Sequence, residues 1–289
     1  MKAVRSFLDL IKFEHTVFAL PFAYLGMILA AEGWPTWVQF LWITLAMAAA
    51  RTLAMGCNRI ADRWWDARNP RTQARPLVTG AVSLRTAWVG TAVALPVLVL
   101  AAWQLGPLPL RLLPGALLFL VGYSFTKRFT RLSHFILGFT DGLAPVGAWV
   151  AVRGSLFTRE DIPAYLLLGI VTLWIGGVDL IYACQDIDFD RQYHLHSIPA
   201  ERGAAYALRL SFICHGIMVW LLAVLGFYLN LVWPFWLAFG AVILLLLYEH
   251  SLVKPDDFSR IDVAFFNINS VISVVLFVGI LGSRWVIHG

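Results

Sequence analysis

The chain has 289 residues, of which 60% are hydrophobic and only 13% charged, and its mean hydropathy is +0.75. A soluble globular chain carries about a quarter charged residues, so this composition excludes a soluble domain and predicts a polytopic membrane protein. The net charge of +5 arises from basic residues in the predicted loops on one side of the membrane, which are described below. We therefore exclude a nucleic-acid partner.

Nine apolar stretches are about 20 residues long, the length that crosses roughly 30 Å of hydrocarbon as a helix. Backbone polar groups in lipid must be paired inside the spanning element, and these stretches are too long for barrel strands. We therefore predict an all-α protein with nine transmembrane helices in a single domain, residues 1–289. The predicted spans are 14–32, 37–58, 84–105, 108–125, 133–152, 162–185, 204–227, 231–249 and 263–283.

The positive charges are distributed unevenly between the predicted loops. With a cytoplasmic N-terminus, the inner segments are 1–13, 59–83, 126–132, 186–203 and 250–262. The outer side then holds only four of the 22 Lys and Arg residues, namely Arg111, Arg153, Arg159 and Arg284. Because basic residues favour cytoplasmic loops, this asymmetry predicts a cytoplasmic N-terminus and an external C-terminus.

Acidic residues cluster at the inner ends of the second and sixth predicted spans. Asn58, Asp62 and Asp66 end one span, and Asp179, Asp186 and Asp190 end the other. On a helix, residues four apart are separated by about 40° around the axis and about 6 Å along it, so each set is predicted to form one stripe. Three arginines that are near in sequence, Arg59, Arg63 and Arg191, could neutralise these carboxylates. Alternatively, paired oxygen ligands suit Mg²⁺ that also binds a diphosphate.

Other polar residues near the second cluster are predicted to be ordinary surface groups. Asp188 lies about 200° from Asp186 around an ideal helix and is predicted to be a solvated charge. His194 and His196 have no third His or Cys nearby, so we do not expect a metal site there. Cys57, Cys184 and Cys214 are scattered in apolar surroundings, which indicates packing rather than a disulfide framework.

The two acidic clusters resemble a known pair of signatures. NRIADRWWD has the form NRxxDxxxD, YACQDIDFD has the form YxxxDxxxD, and YSFTKR lies between them. These motifs and the nine-span pattern are similar to those of the UbiA superfamily of intramembrane prenyltransferases. The resemblance covers nearly the whole chain.

The resemblance implies a helical bundle around a central cavity, with a cytoplasmic cap over the two motifs. It also implies Mg²⁺-dependent transfer of a polyprenyl group from a prenyl diphosphate to an aromatic acceptor, in the inner membrane of a bacterium. The expected partners are therefore a polyprenyl diphosphate, a small aromatic acid and membrane lipid. By motif position, Asp62, Asp66, Asp186 and Asp190 would be the catalytic and metal-binding residues, with Asn58 assisting the first pair. Tyr123 and Lys127 would contact the diphosphate. Lys127 and Arg128, at the inner end of the fourth span, could bind phosphate oxygens or an acceptor carboxylate, or could serve only to set the topology.

The start of the first span leaves the acceptor open. Enzymes that prenylate 4-hydroxybenzoate often have DRPxG there, whereas this chain has FEHTVFALPFA. That form is similar to a subgroup associated with the futalosine branch of menaquinone synthesis, where the acceptor would be a dihydroxynaphthoate. Glu14 and His15 could contact either acceptor, or could simply cap the helix.

A transporter or cation channel is the alternative function, because intramembrane carboxylates also mark permeation pathways. Such proteins place their acidic groups near the middle of the bilayer. Here the groups lie at one edge, beside basic loops, which favours the transferase.

Overall fold

The computed structural model describes residues 2–11, 13–31 and 33–288, although the side chains of residues 2–5, 13–19, 265 and 288 lie outside that description. No β-strand occurs in the described ranges, and the chain is built from α-helices joined by short turns and 3₁₀ segments. The predicted all-α class is confirmed.

Twelve α-helices follow one another along the described chain. They are α1 (Lys2–Leu10), α2 (Phe13–Ala30), α3 (Trp37–Asp66), α4 (Leu84–Leu105), α5 (Pro107–Gly122), α6 (Ser133–Arg153), α7 (Ile162–Tyr182), α8 (Ile187–Gln192), α9 (Ile198–Arg202), α10 (Ala204–Tyr228), α11 (Trp233–Leu252) and α12 (Asn269–His288). Three 3₁₀ segments, Tyr123–Arg128, Arg159–Asp161 and Ala183–Asp186, and one π-helical segment, Val263–Ile268, lie between them.

Within the described residues, eight helical runs are long and apolar enough to cross a membrane. They correspond to eight of the nine predicted spans. The first predicted span is also helical, as α2, and its described apolar part is the shorter Leu20–Ala30. The protein is therefore an integral membrane protein, as its composition indicated.

The chain divides into two compact units, each with its own apolar core. The first contains Met1–Leu20 and Pro35–Phe125, and its core includes Leu53, Leu98 and Leu113 from α3, α4 and α5. The second contains Pro21–Trp34 and Thr126–Gly289, and its larger core is centred on residues such as Trp174 and Phe235. The single domain and the central cavity that the sequence suggested stay predictions.

In the first unit, α3 carries the first acidic motif on the helix itself. Thr36 and Gln39 form a reciprocal capping box that fixes where α3 begins. The helix then continues past residue 58, where the apolar run stops, and ends at Asp66. All three motif residues therefore have helical spacing.

In the second unit, α6 and α7 approach each other closely through small residues. A Cβ atom on Gly138 would lie 2.2 Å from the Thr172 carbonyl oxygen, and one on Gly142 would lie 3.0 Å from that of Leu168. Glycines four residues apart let transmembrane helices pack backbone against backbone. This seam brings His134, on α6, beside the end of α7 that carries the second motif.

Candidate active site

The first motif is held together by its own side chains on the last turns of α3. The Asn58 Nδ2 group donates to Asp62 Oδ2 at 3.0 Å, and Arg59 donates to the Asn58 Oδ1 oxygen at 3.4 Å. The charge of Arg59 also acts on Asp62 and Asp66. Asn58 and Asp62 are thus brought together, as their spacing predicts.

Asp66 is neutralised by an arginine that sequence spacing did not suggest. Its carboxylate, 6% exposed, lies 2.5 Å from the Nη1 atom of Arg75. The turns after α3 bring Arg75 back: Asn69 Oδ1 accepts from the Arg71 N–H, and the Thr72 hydroxyl donates to the Asp66 carbonyl. Neither Arg59 nor Arg63, the neutralising residues suggested by sequence proximity, makes this ion pair.

Tyr123 begins the 3₁₀ segment that follows α5, within the first unit. Its hydroxyl donates to the Ala54 carbonyl of α3 at 3.3 Å, one turn before Asn58. The side chain is therefore placed at the motif-bearing end of α3. Its predicted contact with a diphosphate stays a prediction.

The second motif lies where α7 stops being α-helical. A 3₁₀ segment, Ala183–Asp186, separates α7 from α8, so Asp179 and Asp186 do not lie on the one continuous α-helix that the predicted stripe assumed. Asp186 and Asp190 are nevertheless both buried, with 3% and 2% exposure, whereas Asp188 is exposed. The prediction that Asp188 is a solvated charge is confirmed.

Asp190 has an oxygen without a hydrogen-bond partner. The Ser197 hydroxyl contacts its carboxylate, but Oδ2 is buried and makes no hydrogen bond to any described residue. The Lys127 charge acts on both Asp179 and Asp190, and Asp186 lies close enough to repel each of them. Asp190 is therefore a buried carboxylate with one unpaired oxygen and another carboxylate nearby.

His134 connects Asp179 to the turn after α8. Its Nδ1 atom lies 2.6 Å from Asp179 Oδ2, and its Nε2 atom lies 3.3 Å from the Ile198 backbone nitrogen. A backbone N–H can only donate, so Nε2 accepts and the ring proton on Nδ1 is donated to Asp179. The ring is completely buried. Sequence reasoning did not single out His134.

The segment from Tyr193 to Gly203 is hydrogen-bonded to residues close to the second motif, within the second unit. The His196 N–H donates to the Lys127 carbonyl at 2.7 Å, and Arg191 Nε donates to the Ala200 carbonyl at 2.8 Å. Hydrogen bonds from His196 and then from Arg131 lower the pKa of the Glu201 carboxyl. This segment is therefore held close to the second motif.

The second motif has the composition of a magnesium site that is completed by a substrate. No group of three or more His, Cys, Asp or Glu side chains suited to a metal is found across the described ranges. Mg²⁺ typically uses only one or two protein carboxylates and takes its other oxygens from phosphate and water. The buried, unsatisfied Asp190 oxygen and the neighbouring Asp186 fit that requirement.

Comparison with known proteins decides the family. The model of the UbiA prenyltransferase family matches residues 19–271. The chain belongs to this family. Among similar proteins is a 4-hydroxybenzoate octaprenyltransferase of Methylobacillus flagellatus, 30% identical over 261 residues, which cover 90% of this chain and 86% of that one. One of Neisseria gonorrhoeae is 29% identical over 231 residues, covering 80% and 76%.

Solved UbiA structures share the fold. The apo structure of a UbiA homolog from Aeropyrum pernix K1 superposes with a TM-score of 0.85 at 33% identity, covering 93% of this chain and 98% of that one. A UbiA homolog from Archaeoglobus fulgidus bound to GPP and Mg²⁺ has a TM-score of 0.69 at 19% identity, covering 96% and 99%. At that identity, the likeness shows the fold alone.

The family and enzyme class expected from the two motifs are thereby confirmed, and the chain is a UbiA-family prenyltransferase. Family membership also favours the transferase over the transporter alternative. The side chains of Glu14 and His15 lie outside the described residues. The roles of Asn58, Asp62, Asp66, Tyr123, Lys127, Arg128, Asp186 and Asp190 stay predictions, as does the convergence of the two motifs.

Proposed function

We propose that this protein transfers a polyprenyl group from a prenyl diphosphate to an aromatic acid, in a Mg²⁺-dependent reaction of quinone biosynthesis. The reaction takes place at the cytoplasmic edge of the bacterial inner membrane, with the N-terminus inside and the C-terminus outside. The names of the curated relatives support the acceptor class, since they are 4-hydroxybenzoate octaprenyltransferases. The A. fulgidus homolog with GPP and Mg²⁺ supports the donor and the metal.

The observation that carries this proposal is the burial of two acidic side chains of the second motif, Asp186 and Asp190. Asp186 and Asp190 are almost fully enclosed, and one Asp190 oxygen has no partner in the described structure. A buried carboxylate without compensation is costly, so the site requires a cation. Mg²⁺, when bound there, would neutralise the diphosphate leaving group and make its departure easier.

The chain's own residues would bind and orient the donor. Asp62 and Asp66, with Asn58 holding Asp62, would bind one Mg²⁺, and Asp186 and Asp190 would bind the other. The Lys127 ammonium would contact phosphate oxygens directly, and its backbone is already fixed by the His196 N–H. Tyr123 and Arg128 would complete the diphosphate contacts. Apolar helix walls would keep water from an allylic cation.

Arg51 is our candidate for binding the acceptor carboxylate. It lies two turns before Asn58 on α3, and therefore on the same face of that helix. Its Nε group is buried and has no hydrogen-bond partner in the part of the chain that is described. Arginine inside a membrane span is costly unless it binds an anion or lines a functional pathway. Both proposed acceptors, 4-hydroxybenzoate and a dihydroxynaphthoate, carry a carboxylate.

Purified protein in lipid vesicles tests the proposal. With Mg²⁺, a polyprenyl diphosphate and either 4-hydroxybenzoate or a dihydroxynaphthoate, we expect diphosphate release and a prenylated acid. EDTA is expected to reduce both to background, and Mg²⁺ added in excess is expected to restore them. Comparing the two acids identifies the acceptor. No prenylated product with either acid would contradict the proposed function.

A further inference from the structure

We propose that Asp179 is the catalytic base that removes the ring proton of the aromatic acceptor, and that His134 is its positioning residue. The inference rests on the function proposed above, because only an aromatic acceptor loses a ring proton. It assigns a role to a carboxylate that lies outside both aspartate signatures.

The position of Asp179 separates it from the metal-binding pair. Asp179 and Asp186 are seven positions apart, which on a continuous helix would be close to two turns and about 10 Å along the axis. Asp179 is on α7 itself, before the 3₁₀ segment, and so lies nearer the middle of the membrane span than the second motif does. Asp179 pairs with His134, so its proposed role is separate from the metal binding proposed for Asp186 and Asp190.

The two oxygens of Asp179 have different environments. Oδ2 accepts the Nδ1 proton of His134 at 2.6 Å, and the ring is fixed on its other side by the Ile198 N–H. Oδ1 makes no hydrogen bond within the described ranges, and the side chain keeps 18% of its exposure. Asp186 and Asp190, by contrast, are nearly enclosed. The histidine therefore fixes the carboxylate orientation and leaves one basic oxygen accessible.

The seam between α6 and α7 makes this arrangement rigid. His134 is one turn from Gly138, whose missing side chain allows α6 to contact the α7 backbone at Thr172. Because Asp179 is two turns after Thr172 on the same helix, the donor and acceptor of the 2.6 Å bond are on two locked helices. A base held in one orientation loses no free energy to reorganisation during proton transfer.

The transfer reaction needs no reactant other than the prenyl diphosphate and the aromatic acceptor. The bond between the allylic carbon and the diphosphate oxygen breaks, and its electron pair leaves with the diphosphate. A ring carbon next to the hydroxyl forms the new carbon–carbon bond. The C–H bond at that carbon then breaks, its electron pair restores the aromatic ring, and the proton passes to Asp179 Oδ1. Asp179 releases the proton to water when the product leaves.

Asp179→Asn is the sharpest variant, since its amide oxygen still accepts from His134 while the basic oxygen is lost. We expect kcat to fall about 100-fold or more, with the dissociation constant for the prenyl diphosphate unchanged by tryptophan fluorescence. A second measurement compares the rate with the ordinary acceptor and the rate with an acceptor deuterated on its ring carbons. We expect the ratio of these two rates to be larger for Asp179→Asn than for the wild type, because proton removal becomes rate-limiting. A wild-type kcat in Asp179→Asn, or a loss of rate without a larger isotope ratio, would overturn the assignment.

His134 is tested by a matched pair of variants. Gln offers one N–H to Asp179 and one oxygen to the Ile198 N–H, whereas Leu offers neither. We expect His134→Leu to lower kcat and leave donor affinity unchanged, and His134→Gln to recover most of the rate. Equal rates in the two variants would overturn the positioning role, even if Asp179→Asn does not fold. A wild-type enzyme that prenylates no aromatic acid would instead contradict the proposed function itself.

Discussion

At the scale of single residues, the second motif distinguishes chemically identical side chains by their burial. Asp186 and Asp188 are two positions apart, yet the first is 3% exposed and the second lies on the surface. Residues two apart on a helix point about 200° away from each other, so one faces the interior and the other faces solvent. A metal-binding carboxylate must be buried among other charged groups, and Asp186 meets this requirement whereas Asp188 does not.

We therefore expect Asp186→Asn to lower kcat by at least about 100-fold, because it removes a charge from the buried pair that would bind Mg²⁺ and diphosphate. Asp188→Asn is the matched control and is expected to retain nearly full activity. Both rates are measured as diphosphate release at saturating Mg²⁺. If the two variants lose activity equally, the assignment of Asp186 as a ligand is wrong.

The sequence predicts the acidic residues of the site but not their partners. Asp62 and Asn58 are one helical turn apart, so a local rule suffices to pair them. Arg75 reaches Asp66 only because the buried Asn69 and Thr72 organise the intervening turns. His134 and Asp179 are 45 positions apart and meet only through helix packing. No spacing rule in a single sequence reports such contacts.

At the scale of elements, Asp161 shows how the chain fixes the turn between α6 and α7. Its Oδ1 accepts from the Trp149 indole and the Ser155 hydroxyl, and its Oδ2 accepts from the Thr158 N–H and hydroxyl, all within 2.9 Å. The residue is completely buried. Every one of these partners lies on α6, on the turn or next to α7, so the carboxylate ties the two helices together.

Asp161→Ala is expected to destabilise the second unit by about 3 kcal/mol, because it leaves buried donors unsatisfied. The midpoint of thermal unfolding in detergent should fall by roughly 5–10 °C. Glu160→Gln is the control: Glu160 pairs with Arg153 but its side chain is 75% exposed, so little change is expected. Equal shifts for the two variants would show that the hydrogen bonds of Asp161 do not stabilise the turn.

At the scale of the whole molecule, the distribution of basic residues is the feature that predicts orientation. The predicted spans agree with the observed helices because hydropathy reports the solvent around a segment. Each spanning helix must also be long enough to cross the same layer of hydrocarbon. What hydropathy does not report is where helices change type. The predicted spans end within the 3₁₀ segments Tyr123–Arg128 and Ala183–Asp186, but hydropathy does not distinguish a 3₁₀ segment from an α-helix, although both segments carry predicted site residues.

Orientation is tested with single cysteines in a background from which Cys57, Cys184 and Cys214 have been removed. Gln73 and Phe157 are both exposed, the first after α3 and the second between α6 and α7. We expect a membrane-impermeant maleimide to label Phe157→Cys in intact spheroplasts, and Gln73→Cys only in inverted vesicles. The reverse labelling pattern would overturn the predicted orientation.

The glycine seam between α6 and α7 also bears on engineering. Because the Gly138 position allows no side chain against the Thr172 carbonyl, these two helices cannot separate or slide without losing their main contact. Under the function proposed above, substitutions meant to change the accepted prenyl tail are therefore expected to disturb the fold least when they lie away from this seam. Libraries intended to retune chain length should leave this pair untouched and concentrate diversity elsewhere in the bundle.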